Sequence, residues 1–509
     1  MSRHLVRATL LALSLAALPV IRAQTAAPNA TPAVPDLTPQ SPPLSLEETI
    51  ARAMKKNFDL QIQSFSTDIA KENVIISQAA FQPVLNAAVN RNLSQAASTI
   101  NTLDGTTGVG QRLDGTNASV GVTELVPQTN GTYGISTGVT KSATNSRFST
   151  LNPAYGNTIS ATMSQPLLKN AGSTVARSTL ERNKLGLTIA QLNYTSSVLT
   201  VVLNTETAYN NLVSARETLH IRQLSLTLAQ RLFEENQARR TTGVMTDLDV
   251  LTAEVGVNNA RLAVVQAEQS VRTAEDNLLT LINAGDYEQR PGPVAFQEFR
   301  GEAPTFEASY KTARDNYPDY IASANQIKQA EIDLSVARIS ERPTLNLNGS
   351  LGYNSTDKSY NDAINNLQDQ HGNNWSLGLV YQMPWGMKAD RARYRSSLAT
   401  LNSQKTRLAQ LDQSLTVQVR TAVRSVQTNL ISVQIAAKAT ELSEKQYEAQ
   451  KARFDAGLST SRLVLQAQDD LETARFNELS TKVSLRNALA QLHRLETSSL
   501  TRFNIQLNQ

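Results

Sequence analysis

The chain has 509 residues, 48 Lys and Arg against 44 Asp and Glu, 40% hydrophobic but only 5% aromatic side chains, and no Cys. The missing Cys excludes disulfide frameworks, thiolate metal sites, Cys nucleophiles and the acylated N-terminal Cys of a lipid-anchored envelope protein. Ala, Leu, Gln, Asn, Ser and Thr dominate, a composition that suits long helices with small-residue seams better than an enzyme with a large core.

Met1 to Arg7 carry His4 and two arginines, Ala8 to Ile21 are apolar, and Ala23 offers a small residue for cleavage before Gln24. This is the pattern of a signal peptide over residues 1–23, and its apolar run is short of the ~20 residues a spanning helix needs. Removing Arg3, Arg7 and Arg22 leaves 45 basic against 44 acidic residues, a balance of +1. Such a balance gives no case for a nucleic acid partner. Residues 24–44 hold six prolines among Ala, Thr and Ser and read as a flexible lead-in. Beyond it no apolar run approaches 18 residues, so a mature chain that spans a membrane must do so with β-strands.

The remainder is written twice. At an offset of 260, residues 46–87 align with 306–347, with identities at Glu47/Glu307, Ala53/Ala313, Asp59/Asp319, Pro83/Pro343 and Asn86/Asn346. At an offset of 214, residues 180–281 align with 394–495, including Arg239/Arg453, Gly243/Gly457 and Leu251/Leu465. Repeat 1 (45–285) and repeat 2 (306–497) flank a connector (286–305) and leave a tail (498–509). Each reads helix, β-hairpin, long helix, tight turn, helix. In repeat 1 a long helix is expected from about Ser173 to Arg240, a tip turn at Gly243, and a helix over 246–283. In repeat 2 helix 306–340 breaks at Tyr317-Pro318 and stops at Arg342-Pro343. The hairpin 343–384 follows: Leu345, Leu347, Gly349, Leu351 and Tyr353, then Trp375, Leu377, Leu379, Tyr381 and Met383, alternate with polar or small residues. Period two over about ten residues, with aromatics near the ends, is a transmembrane strand pattern. No Pro or Gly interrupts 389–454, which allows a helix of roughly 65 residues, about 100 Å long. The turn at Gly457 leads to helix 460–497.

The two shorter helices of each repeat together nearly equal the long one, so they stack beside it in a helical wall of small-residue seams. Arg216, Glu217, Arg231, Glu234 and Glu235 read as a solvated face. Two hairpins give four strands per chain, too few to close a barrel, whereas three chains give twelve around a water-filled bore. The fold class is therefore mainly α with a transmembrane β part: a coiled-coil α-barrel tunnel plus a 12-stranded barrel in a homotrimer.

The double repeat, the strand-ending Gln165-Pro166-Leu167-Leu168, and the turns Thr242-Gly243-Val244-Met245-Thr246-Asp247 and Ala456-Gly457-Leu458-Ser459-Thr460 together resemble the TolC-type outer membrane efflux proteins, over nearly the whole mature chain. The resemblance implies the exit duct of a tripartite efflux or type I secretion system, set in outer membrane lipid with a large periplasmic part. It implies a trimer whose helical tips dock a periplasmic adaptor protein fed by an inner-membrane pump. The docking residues would be Gly243, Val244, Met245, Gly457, Leu458 and Ser459.

Two features depart from that family. Pro83 and Pro166 are 83 residues apart but Pro343 and Pro384 only 41, so repeat 1 holds about 42 extra residues. The insert, about 96–156, contains Asn117 to Val126 and Thr132 to Thr140 around the hairpin signal Asn130-Gly131, and reads as an added hairpin at the outer end. The family also narrows its entrance with acids after the second turn, where Ser459 to Gln466 has none; Asp247 and Asp249 occupy the first turn instead, and any other acidic gate is to be sought among Asp455, Asp469 and Asp470. Thr246 with Asp249 also makes a helix capping box, which is the better reading of Asp249.

Catalytic chemistry is not legible. His4, His220, His371 and His493 are scattered without an H-x-x-x-H pair, and no phosphate loop, G-x-S-x-G or dinucleotide fingerprint occurs. No metal, cofactor or enzyme activity is expected, and transport would be passive. The alternative is a secreted coiled-coil structural or filament protein of the cell surface, which would need neither aromatic-edged hairpins nor cleavage.

Overall fold

A computed structural model describes residues 43–97, 99–100, 107–108, 110–146, 148–282, 290–296, 303–367 and 372–506. The expected signal segment, nearly all of the Pro-rich lead-in, much of the connector, and His4 and His371 lie outside the described residues.

Repeat 1 runs α1 (Leu46–Lys56), α2 (Phe58–Ala79), β1 (Val84–Gln95), the two-residue strands β2 (Thr99–Ile100) and β3 (Thr107–Gly108), β4 (Arg112–Val126), β5 (Gly131–Thr144), β6 (Ala154–Pro166), α3 (Ser173–Ala176), α4 (Ser178–Thr241) and α5 (Asp247–Ile282). Repeat 2 runs α6 (Phe306–Asn316), α7 (Pro318–Ser340), β7 (Thr344–Asp357), α8 (Tyr360–Asn365), β8 (Asn373–Gln382), α9 (Lys388–Asp455) and α10 (Ser461–Leu495), followed by α11 (Ser499–Arg502).

The two repeats make the same joint with different chemistry. Asn57 closes α1 by donating its N–H to Ala53 O, and its Oδ1 caps α2 by accepting from Asp59 N at 2.9 Å. In repeat 2 Tyr317 donates to Ala313 O, and Pro318, which has no N–H to lose, opens α7. Ala53 and Ala313, identical in the alignment, are both buried beneath this joint.

At about 1.5 Å per residue, the 64 residues of α4 and the 68 of α9 each extend about 100 Å. Helices α2 and α5 lie along α4, α7 and α10 lie along α9, and α7 and α10 also touch α4, which joins the halves. Packing concentrates midway. Val198, Val202, Leu212 and Val213 of α4 bury against Ile50, Ala53, Leu278 and Ile282, while Val419, Val423 and Val426 of α9 bury against Ala313, Leu485 and Leu489. Each such aliphatic side chain contributes roughly 1.5–3 kcal/mol. One window of α4 is apolar enough to cross a membrane by length and composition, and Val198, Val201 and Val202 of the same helix are core residues of this joint.

Arg216 does not belong to a solvated face. Its guanidinium donates to Glu275 Oε1 at 2.7 Å and to the carbonyls of Gly292 and Pro291 at 2.6 and 2.8 Å. Tyr209, also on α4, donates to Leu44 O and receives the N–H of Ala295. Two α4 side chains thus strap both the chain entering α1 and the described part of the connector onto the wall. Their backbone partners lie outside the repeat pattern, so periodicity alone treated Arg216 as one more surface charge.

The fold class stands, but the count of four strands does not. One antiparallel sheet runs in the order β1-β4-β5-β6-β7-β8, six strands, with β4 and β5 supplied by the insert. The insert has no counterpart in repeat 2, so counting by repeat left it out. Its strands of 15 and 14 residues are nevertheless as long and as alternating as the rest. At the foot of the sheet Lys169 reaches Asp390 at 3.0 Å, and Arg393 joins the same carboxylate. The Lys169 bond holds the Asp390 carboxyl below its usual range, and the pair ties the exit from β6 to the start of α9.

Near the C-terminal end of α10, burial and the adjacent Arg502 push the His493 imidazole down to about 4. The unfolded chain takes up that proton near pH 6.5, the folded chain only near 4, so the contribution is complete above pH 6.5 and is lost as pH falls towards 4. His493→Gln should flatten the stability profile between pH 6.5 and 4 by up to about 1.4 kcal/mol per pH unit, read by thermal unfolding across that range. An unchanged slope would contradict a neutral, half-buried imidazole.

Candidate conduit and helical tips

Strand pairing fixes which side chains share a face. Leu85, Val89, Val122, Val120, Ile135, Val139, Ile159, Met163, Leu347, Leu351, Leu377 and Leu379 fall in register on one side of the sheet. Tyr133 and Tyr381 edge this band towards the helices; Tyr155, Tyr353 and Trp375 edge it at the other end. Arg91, Asp114 and Lys141 lie beyond it, with Arg91 and Asp114 paired at 3.0 Å. An apolar belt between aromatic girdles is the outer surface of a membrane barrel.

The opposite face carries Asn86, Asn90, Ser119, Thr123, Ser136, Thr140, Ser160, Thr162, Asn348, Ser350 and Ser376, and no charged side chain on any of the six strands. Neighbouring strands exchange hydrogen bonds across it: Ser136 with Ser160 at 2.9 Å, Ser164 to Asn348 at 2.9 Å, and Ser350 with Ser376 at 2.8 Å. Short hydroxyl and amide groups leave a smooth, neutral, wettable surface.

At the far end of the helical wall both long helices stop in the same way. Gly243 and Gly457 take φ of 78° and 74°, a left-handed conformation that glycine adopts without steric cost. The Gly243 and Val244 N–H groups donate to Arg240 O and Arg239 O, and those of Gly457 and Leu458 donate to Phe454 O and Arg453 O. These are paired Schellman closures, one per repeat. Each projects an apolar residue into solvent: Val244 is 71% and Leu458 78% exposed.

The remaining expected tip residues divide. Met245 packs against the cluster of Leu232, Phe454 and Val464, and Ser459 accepts from Gln450 Nε2, so both help to build the tip. Asp249 caps α5: its carboxylate accepts from Thr246 N at 3.1 Å while Thr246 Oγ1 accepts from Asp249 N at 3.3 Å. Asp247 pairs with Arg240. Asp455 is held by Arg239 and, at 3.0 Å, by Lys451, which also reaches Glu235. Burial alone would lower the Lys451 ammonium, but bonds from Glu235 and Asp455 outweigh it and raise it.

Arg239 is the residue that sequence reasoning missed. Its guanidinium lies 4.3 Å from the Phe454 ring centre and donates to Phe454 O, clamping the last turn of α9 from α4. Its repeat mate Arg453 is exposed. The alignment marked the pair as equivalent, and only the packed tip distinguishes them.

The chain matches the outer membrane efflux protein family over residues 110–284 and 309–496. It is 22% identical over 340 residues to outer membrane protein TolC of Escherichia coli K12, covering 63% of this chain and 67% of that protein. It is 26% identical over 292 residues to protein CyaE of Bordetella pertussis, covering 56% and 60%. In architecture it resembles the Campylobacter jejuni CmeC outer membrane channel, with a TM-score of 0.65, 16% identity and coverage of 91% and 90%. It also resembles the open state of the Neisseria gonorrhoeae MtrE channel, with a TM-score of 0.62, 19% identity and coverage of 89% and 88%.

The two faces of one strand respond oppositely to charge. Leu351→Lys should cost about 2–4 kcal/mol of barrel stability, whereas Ser350→Lys, one residue away, should cost little. Urea unfolding in detergent micelles or vesicles reads the difference, and equal costs would contradict the assignment of faces.

Proposed function

On the premise that the chain belongs to the outer membrane efflux protein family, we propose that three copies assemble into one duct, with the sheets closing a barrel and the helices a periplasmic tunnel. The molecule is an outer membrane channel of the efflux or type I secretion class. What supports the assembly is the six-stranded sheet, apolar on one face and charge-free polar on the other, continuous with helices about 100 Å long. A surface filament has no use for such an apolar belt.

Transport through the duct is passive diffusion along the wetted face, with energy supplied by an inner-membrane pump through a periplasmic adaptor. The chain itself carries out no catalysis and holds no cofactor. Residues 1–23 direct export and are removed. The boundaries 45–285 and 306–497 are the two structural repeats. The adaptor docks on the tips, where Val244 and Leu458 offer paired apolar contacts beyond the Gly243 and Gly457 turns, flanked by Met245 and Ser459. Asp247, Asp249 and Asp455, each partnered within the chain, hold the shape of the entrance.

Val244→Asp combined with Leu458→Asp should leave trimers intact and lower adaptor affinity on the order of tenfold to a hundredfold, the value of one or two buried aliphatic side chains. Cosedimentation with the adaptor and an export assay check this. Full export by normally assembled trimers would contradict docking at these residues.

A further inference from the structure

Resting on the trimeric reading above, we infer that the exit barrel of this duct has eighteen strands, because the insert of repeat 1 contributes two wall strands per chain. Three observations carry the inference. First, β4 pairs with β1 from Val84↔Thr123 to Gln95↔Arg112, and β5 pairs with β6 from Thr132↔Ser164 to Ser142↔Ala154. The insert therefore separates β1 from β6 along their full length, and expelling it would break both ladders. Second, Val120, Val122, Ile135 and Val139 continue the apolar face of the other strands, while Ser119, Thr123, Ser136 and Thr140 continue the polar one. A hairpin folded outside the wall would show that apolar face on a strand pair with no sheet to continue it.

Third, the β4–β5 turn is docked at the helical end rather than at the outer rim. Asn130 Nδ2 donates to Asn170 O at 2.8 Å, Gln165 Nε2 to Thr129 O at 3.0 Å, and Gly172 N to Thr129 O at 3.2 Å. This fastens the turn to the crossover that leads into α3, so the strands run the full height of the sheet.

The sheet leaves two open edges, β1 and β8, whose residues are exposed throughout. Unpaired backbone in hydrocarbon is not tolerated, so these edges need a partner, and a second copy of this chain supplies it. Six alternating strands put β8 of one copy antiparallel to β1 of the next, and three copies close the ring. Barrel diameter grows roughly in proportion to strand number, so eighteen strands give about 1.5 times the diameter of twelve and about twice the cross-section. The exit is then a wide, neutral opening that does not select cargo by charge.

Cryo-electron microscopy of the protein extracted from outer membranes in mild detergent counts the strands directly. Eighteen strands in a three-fold particle are expected. A three-fold particle with twelve strands, the β4–β5 hairpin lying outside the wall, would overturn the inference while leaving the duct intact. A monomer or filament would overturn the duct reading and the inference with it. As an independent readout, Ile135→Lys should lower the trimer recovered from outer membranes at least about tenfold relative to Ser136→Lys, since only Ile135 faces lipid in the eighteen-strand wall. Equal recovery would count against β5 as a wall strand.

Discussion

Everything in this molecule follows from the need to pair backbone hydrogen-bonding groups where no water is available. A strand exposed to hydrocarbon on one side must find both neighbours, and the sheet supplies them for β4, β5, β6 and β7 but not for β1 and β8. Those two edges make the single chain an incomplete object. In the proposed duct, oligomerisation is thus a condition of membrane insertion rather than an addition to a finished fold. The even strand count lets every junction between copies be antiparallel.

The helical wall obeys a second constraint, equality of length. A continuous helix of 64 or 68 residues presents an apolar stripe that one shorter helix cannot cover. The chain covers it with two, α2 and α5 beside α4, and α7 and α10 beside α9. The join between each pair is where buried packing is densest. The chain entering α1, the described part of the connector and the C-terminal residues also converge there: Leu44, Val294, Phe296 and Phe503 all belong to that region. Arg216 and Tyr209 bind this material through its carbonyls, so loops outside the repeat become part of the wall.

Much of this was legible in the sequence because it rests on local rules. Period-two alternation marked the strands of repeat 2, the absence of Pro and Gly marked α9, and Gly243 and Gly457 marked turns that only a left-handed residue closes without cost. Thr246 and Asp249 form the capping box their spacing announces. Long-range partners were not legible. The insert read as a hairpin but not as two strands of the main sheet, since its pairing with β1 and β6 depends on register set elsewhere. Arg216 reads as an ordinary surface cation and Arg239 only as the repeat mate of Arg453, because their partners, Glu275 and Phe454, lie 59 and 215 residues away. Asp455 reads as a candidate entrance acid, but its partners Arg239 and Lys451 do not show in the sequence.

The central claim is that three copies of this chain make one duct through the outer membrane. Native mass measurement of the detergent-extracted protein, combined with negative-stain imaging of the same particles, tests it most directly. The account predicts a mass of three mature chains and a three-fold particle with a detergent belt at one end and a helical tube about 100 Å long below it. A single-chain mass, or a polymer without a detergent belt, would contradict it.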